Sequence, residues 1–308
     1  WAAESGETEL GLRLAGALWD YWVVSGQLSE GRDWLERLLA QDAANTAHPA
    51  LPALRARALN GAALIAWHLG DFRQAETRIR ESITLYGSVA DERGECRALN
   101  TLGLALHAQG DYQRALDVFE ESLRMARALD DPGRIGLALS NLADVWAYRH
   151  DYAQAAALLE ECLARFQQVG APTLVSYGLQ SLGNVHFQLG AYERAAEVLR
   201  EGLATIRTLR TRLNAADALE LAGLLAITRD RMAEAVRLLG AAAAVRAADG
   251  MAAAAERQAS LQRALEAARA ALAAAEFTAA WDFGAALPLD AALERALAVV
   301  EPVAAVSR

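Results

Sequence analysis

Apolar residues recur along this chain at the spacing of α-helices. The stretch from Leu99 to Leu123 reads LNTLGLALHAQGDYQRALDVFEESL, and two closely similar stretches follow it after 40 and 80 residues. Within each stretch the apolar positions fall three and four residues apart, which places them on one face of a helix. A Gly-Asp-Tyr segment at 110–112 interrupts this spacing. The pattern therefore predicts two amphipathic helices joined by a short turn.

The same unit occurs five times between residues 51 and 249, with a period of 40 residues. Its turn column holds Gly70, Gly110, His150, Gly190 and Asp230; its aromatic column Phe72, Tyr112, Tyr152, Tyr192 and Met232; its alanine column Ala75, Ala115, Ala155, Ala195 and Ala235; and its leucine column Leu59, Leu99, Leu139, Leu179 and Leu219. One helix pair cannot bury its own apolar face, so successive pairs must stack on one another. The repeat predicts an all-α fold, a solenoid of antiparallel helix pairs.

Three regions follow from this pattern. Residues 1–50 hold a degenerate first helix pair with its turn at Gly26, residues 51–249 hold the five repeats, and residues 250–308 form a divergent helical cap. The first pair is rich in tryptophan (Trp19, Trp22 and Trp34), which indicates either a large core beneath it or a docking face for a preceding domain. Because the chain begins with tryptophan rather than methionine, we expect it to be a segment of a longer protein.

Composition and charge narrow the functional classes. The net charge of −9 argues against a nucleic-acid-binding surface. No apolar stretch is long enough to span a membrane, and no secretory signal pattern opens the chain. Two cysteines without metal or redox spacing fit a reducing, cytoplasmic compartment.

The sequence contains no recognisable catalytic or metal-binding constellation. All 30 basic residues are arginine, which removes a P-loop lysine, a Schiff-base lysine and a lysine general base. The five histidines never occur at metal-ligand spacing, and the repeated glutamate pairs of the second helices indicate a solvated face. We therefore expect no catalytic residues, no metal and no cofactor.

The concave face of such a solenoid is the candidate binding surface, because its first helices would line a groove. Columns on that face change character between repeats, whereas the packing columns hardly vary. The predicted groove residues are Arg57, Asn60, Trp67, Arg97, Asn100, His107, Asp144, Tyr148, Tyr177, Gln180, Asn184 and Phe187. Amide side chains can pair with a peptide backbone, and arginine suits a carboxylate or phosphate. A peptide or protein segment, a small ligand such as a sugar, and a merely hydrated groove all remain open.

The L-x-x-L-G, G-D-Y and alanine columns together resemble the tetratricopeptide repeat. That family usually has repeats of about 34 residues; the longer form here is similar to the sensor regions of bacterial signal-transduction (STAND) ATPases and of LuxR-type regulators of the maltose-activator kind. The stretch from Phe277 through Trp281 and Gly284 to Ala292 resembles the C-terminal end of large bacterial ATPase regulators. The resemblance implies a right-handed superhelix whose groove asparagines and basic residues hold extended peptide tails. This chain departs from that peptide clamp because it has no lysine, and arginine replaces the charge of lysine but not its geometry.

These observations predict a non-catalytic interaction or ligand-sensing region of a bacterial multidomain, transcriptional regulator. Its partners would be a peptide segment, a protein or a small effector, together with an ATPase or DNA-binding domain elsewhere in the parent chain. Neither nucleic acid nor membrane is expected as a direct partner. The alternatives are a passive scaffold that assembles a complex through its ends, and the regulatory half of an enzyme whose catalytic domain lies outside this chain.

Overall fold

Helices account for all the regular structure that the computed structural model describes, which covers residues 5–45, 50–209, 211–212, 214–249 and 255–301. Fifteen helices lie within these ranges: α1 Thr8–Val24, α2 Leu28–Ala44, α3 Pro52–His68, α4 Phe72–Ser88, α5 Glu92–Ala108, α6 Tyr112–Ala128, α7 Pro132–Tyr148, α8 Tyr152–Gln168, α9 Pro172–Gln188, α10 Tyr192–Leu209, α11 Ala215–Thr228, α12 Met232–Asp249, α13 Ala255–Ala271, α14 Ala274–Ala285 and α15 Leu289–Val300. The predicted fold class, an all-α solenoid of antiparallel helix pairs, is confirmed. The chain divides into two compact units, Trp1–Arg149 and His150–Arg308. Trp1 and the first residues of the predicted cap, 250–254, fall outside the described ranges.

The turn between the two helices of a repeat follows from its three residues. Gly110 has φ +81°, a left-handed conformation that ends α5 without the strain a side chain would add. Asp111 then caps α6, because its carboxylate accepts a hydrogen bond of 3.3 Å from the backbone N–H of Arg114. His150 occupies the turn column with the same positive φ, +63°, so this position imposes the conformation even where glycine is absent.

Small residues let the two helices of a repeat approach closely in the first unit. Ala75 and Ala115 of the alanine column are completely buried. Phe119 of α6 is 1% exposed and lies against Gly103 of α5, where a Cβ atom would overlap its ring. A buried hydrogen bond also joins the two helices, since Ser122 Oγ donates to the carbonyl of Cys96 at 3.1 Å. The pair α5 and α6 is thus held together by a large ring that packs against a glycine.

The tryptophans of the first helix pair belong to its core. Trp22 is 7% exposed, and Trp19 and Trp34 are partly buried against the same cluster, which includes Leu12 and Leu35. This arrangement is the large core that the sequence allowed as one interpretation. The opposite face of α1 is exposed to solvent. Its exposed apolar side chains are Leu10, Leu14, Leu18, Tyr21 and Val24.

The second unit contains α8–α12 and the three helices of the predicted cap. The cap stretch 251–284 forms two helices, α13 and α14, within its described part. α14 packs closely on α12, because a Cβ at Gly284 would overlap the backbone carbonyl of Arg237. The other cap helix, α15, buries Leu293 and Val299 in the cluster formed by α10, α11 and α12. The cap therefore lies on the helices of the last repeat.

One buried carboxylate ties α12 to α15. Glu234 is 8% exposed and accepts hydrogen bonds from Arg295 Nε and Nη2 at 2.8 and 2.6 Å and from Arg237 Nη1 at 3.0 Å. Burial raises the pKa of Glu234, but the hydrogen bonds from the two guanidinium groups outweigh burial, so its pKa lies below the ordinary value. The charged form is thus the one that the folded unit favours.

The lowered pKa of Glu234 leads to a prediction for acid stability. The unfolded chain binds this proton at a higher pH than the folded chain, so the contribution of Glu234 is present above the unfolded pKa of 4.5 and lost as the pH falls further. Glu234→Gln should lower stability at neutral pH and flatten its decline below 4.5. Thermal melts between about pH 7 and pH 3 measure this. The exposed Glu276→Gln is the matched control; an equally steep acid decline in Glu234→Gln would contradict the assignment.

Candidate functional site

The first helices α3, α5 and α7 lie side by side in the first unit and share one exposed ridge. Three predicted columns lie on it: the one two residues before the leucine column, and those five and nine residues after it. Arg57 and Tyr148 are exposed there, and Arg97 and Asp144 are half-buried. These positions are the accessible part of the predicted groove.

The predicted column one residue after the leucine column points sideways in the first unit, toward the next first helix. Asn60 is 1% exposed, and its Oδ1 accepts a hydrogen bond of 3.2 Å from Thr101 Oγ1 of α5. Asn100 Oδ1 accepts one of 2.8 Å from Asn141 Nδ2 of α7. Gln180, in the same column of the second unit, is 6% exposed. The structure thus corrects the sequence prediction for Asn60 and Gln180, which are too buried to reach a ligand.

Three rings from three helices form an aromatic cluster at the end of the ridge. His107 of α5 meets Tyr148 of α7 edge-on with 5.4 Å between ring centroids, and Tyr112 of α6 lies 5.5 Å from His107 and 4.9 Å from Tyr148. Tyr148 is 38% exposed, and the other two rings are half-buried. Trp67 of α3 donates from its Nε1 to the carbonyl of Leu104 in α5 at 3.2 Å.

Sequence reasoning missed Tyr112 as a member of this cluster. The sequence places Tyr112 in the aromatic column of the repeat rather than among the predicted groove residues, and the ring begins α6 directly after the capping Asp111. Its contact with Tyr148 depends on the packing of α6 beside α7, so the repeat pattern gave no signal for it.

The two arginines predicted for the groove differ in their surroundings. Arg57 Nε donates to the carbonyl of Gly16 in α1 at 2.8 Å, which holds this side chain against the first helix pair. Arg97 is half-buried, and its Nε has no hydrogen-bond partner among the described residues. The four predicted groove residues Arg57, Asn60, Arg97 and Asn100 therefore do not form one accessible group, because Asn60 is buried and the unpartnered Arg97 Nε is buried as well.

In the second unit the predicted residues fall into exposed and covered positions. Tyr177 is 37% exposed and Asn184 is half-buried on α9. Phe187 packs on Tyr192 with 5.3 Å between the ring centroids and also joins apolar clusters that include α11 and α13. The helix α13 thus reaches the side of α11 that carries the groove columns.

The described residues offer little reactive chemistry. Burial raises the pKa of the Cys96 thiol, whose sulfur lies 3.5 Å from the carbonyl of Ser122. Within these residues no three histidine, cysteine or acidic side chains are grouped as metal ligands would be. The described helices also include none with the length and apolar character needed to cross a membrane. Apolar rings, amides and single guanidinium groups are what this surface presents.

Comparisons with known proteins agree with the helix pairs. The family model for the tetratricopeptide repeat matches residues 54–128 and 134–208. No match is found among curated protein sequences.

Several solved structures share the fold. A Rap protein complexed with competence and sporulation factor matches with a TM-score of 0.65 at 16% identity, and the match covers 93% of this chain and 77% of the Rap chain. The apo form of RapI has a TM-score of 0.61 at 14% identity, covering 84% and 95%. A STAND protein with a tetratricopeptide-repeat sensor from Pyrococcus horikoshii matches with a TM-score of 0.58 at 17% identity. This match covers 92% of this chain and 43% of the STAND protein's chain. With its family match and its stacked helix pairs, the chain is a tetratricopeptide-repeat protein.

Proposed function

We propose that the exposed ridge of the first unit binds an extended peptide segment of a partner, without catalysing a reaction. We call the surface formed by Arg97, His107, Tyr112 and Tyr148 the peptide face. The observation that carries the proposal is the aromatic cluster, in which three separate helices bring partly exposed rings together. Rigid rings with polar edges provide contact area at little conformational cost, as they do in other recognition surfaces.

The peptide face suggests what its ligand contains. Proline or an aliphatic side chain fits beside the rings of Tyr112 and Tyr148, while the guanidinium group of the half-buried Arg97 suits a carboxylate. Arg97 and His107 lie ten residues apart on α5, which is about 15 Å along a helix. An extended peptide covers that distance with about five residues. The predicted ligand therefore has an apolar residue and an acidic residue about five positions apart.

Similar folds support a peptide ligand. The Rap protein is complexed with competence and sporulation factor, a Rap conjugation regulator is complexed with the Phr* peptide, and NprR is complexed with its cognate peptide NprX. These proteins share 12–18% identity with this chain, so they support the class of ligand rather than its sequence.

The parent protein is proposed to be a bacterial multidomain regulator. Support comes from the repeat period of 40 residues and from the fold shared with part of the Pyrococcus horikoshii STAND protein that has a tetratricopeptide-repeat sensor. The match covers 43% of that protein's chain. Peptide binding on the peptide face would then shift an ATPase or DNA-binding domain between two states, which requires different affinities for those states. In the full-length parent, a selected peptide should change ATP hydrolysis or DNA binding.

Tyr148→Ala is expected to weaken peptide binding at least tenfold, because it removes the most exposed ring of the cluster. Wild-type chain is applied to an array of immobilised 12-residue peptides, and each peptide that binds is measured again with the variant by fluorescence anisotropy. Tyr21→Ala, which removes a 58% exposed tyrosine from α1, is the matched control and should bind like wild type. Equal binding by Tyr148→Ala, or an array without a single binding peptide, would refute the proposal.

A further inference from the structure

The helix α13 covers the groove columns of the last repeat. The column five residues after the leucine column is half-buried at Leu64, Leu104, Asp144 and Asn184. At Leu224 of α11 it is only 7% exposed. Leu224 joins one apolar cluster with Ala264, Leu261 and Leu265 of α13. Loss of exposure in this column therefore coincides with contact from α13.

Ion pairs also place α13 against the groove columns of α11. Arg257 near the start of α13 lies 2.6 Å from the carboxylate of Asp217 and 3.9 Å from that of Glu220. Asp217 and Glu220 belong to the columns that hold Arg57 and Asn60 in the first repeat. Apolar and acidic groove positions of α11 are thus met by one helix, with its arginine at the N-terminal end.

Few side chains of α13 are buried against its neighbours. Of its side chains from 257 to 271, only Ala264 and Ala268 are buried, and both are small. Its contact seam is Leu261, Ala264, Leu265 and Ala268, at the i, i+3, i+4, i+7 spacing of one helical stripe. By contrast α14 meets α12 backbone to backbone at Gly284. The seam also touches Val236 of α12 and Ala280 of α14, whereas the close contact of α14 with α12 at Gly284 does not involve α13.

We propose that the groove side of α11 is a helix-binding site that α13 fills in cis, and that a partner helix of the same chemistry displaces α13. The ligand class is an amphipathic helix with a leucine and alanine seam, preceded by an arginine that pairs with Asp217 and Glu220. This proposal goes beyond the recognition role proposed above, because it concerns a separate surface. The chain connects α13 to α12 on one side and, through residues 272–273, to α14 on the other. These connections hold α13 at an effective concentration of order mM, so a partner must bind well or α13 must first be released.

The probe is a fluorescein-labelled peptide of residues 255–272, AERQASLQRALEAARAAL. It is titrated against the wild-type chain and against a Leu261→Ser/Leu265→Ser variant whose own α13 has lost its seam. The variant should bind the peptide at least tenfold more tightly than wild type. A second peptide carrying Arg257→Ala should bind the variant at least fivefold more weakly, because it lacks the group that meets Asp217.

Hydrogen exchange separates displacement from unfolding. In the serine variant the amides of α13 should exchange rapidly, while those of α11, α12 and α14 keep their wild-type protection. Arg257→Glu, which leaves the seam intact, is a milder variant that should show the same pattern more weakly. If both variants lose protection in α11 and α12, α13 is part of the core and the proposal is overturned. Equal peptide binding by wild type and the serine variant also overturns it.

These outcomes are independent of the peptide face. The probe is a segment of the chain itself, and its site lies within the second unit. A negative peptide array with positive binding of the 255–272 peptide would remove only the proposed function of the first unit. The reverse pattern would remove only the inference about α13.

Discussion

Phe119→Ala is expected to lower the free energy of unfolding of the first unit by about 3–5 kcal/mol, the range typical of deleting a buried phenylalanine. The ring is 1% exposed and fills the space above Gly103, so its removal leaves a cavity between α5 and α6. Urea denaturation followed by circular dichroism measures the change, with hydrogen exchange of α5 and α6 to localise it. Because repeat arrays do not always unfold in one step, the local measurement decides.

Two comparisons sharpen this prediction. Phe283→Ala removes an aromatic ring that is 49% exposed and should change stability by about 1 kcal/mol or less. Gly103→Ala should destabilise the wild-type chain, where its new Cβ overlaps the ring of Phe119, but much less so in a Phe119→Leu background. Independent, additive effects of Gly103→Ala and Phe119→Leu would show that the two positions do not pack as described.

Arg246→Met is the second change expected to have a large effect, at about 3–5 kcal/mol, because it removes the arginine that hydrogen-bonds the buried carboxylate of Glu220. Glu220 is 4% exposed, and Arg246 Nε and Nη2 reach its two oxygens at 2.6 and 3.0 Å. Arg246 also pairs with Asp217. Hydrogen bonding to Glu220 raises the pKa of Arg246, against the opposing effect of burial, so the guanidinium stays charged.

Arg257→Met is the matched control for this ion pair. Its side chain is 24% exposed and meets the same two carboxylates from α13, but Arg246 remains to neutralise Glu220. We expect a loss of about 1 kcal/mol or less in the stability of α11 and α12. Hydrogen exchange of these two helices distinguishes the variants. Equal losses of stability for both arginine variants would show that Arg257 of α13 stabilises the buried carboxylates as much as Arg246 does.

The chain's repeat period made most of the fold predictable. The turn column imposes a left-handed backbone conformation, and the aspartate after the turn caps the next helix in the first three repeats. The alanine column is completely buried where the two helices of a repeat cross. These rules are local, since they concern residues within a few positions of one another. For that reason the helices of the five repeats occur where the pattern placed them, from α3 to α12.

The candidate site was predicted less completely, because a column can face either solvent or the neighbouring helix. Asn60 and Tyr148 were both assigned to the groove, yet Asn60 is buried and Tyr148 is 38% exposed. A helical wheel fixes the angle between two columns but leaves open which of them the next helix covers. That decision depends on the crossing of successive first helices, as the hydrogen bond from Thr101 to Asn60 illustrates.

The sequence alone thus determined the class of fold, the repeat length and the positions of the turns, because short-range spacing and backbone conformation specify them. Tertiary structure alone decided which polar residues stay accessible, how His107, Tyr112 and Tyr148 meet, and that α13 lies on α11. The physical reason is the range of the forces involved. Helix formation and capping act between neighbouring residues, whereas burial depends on which surfaces distant segments of the chain remove from water.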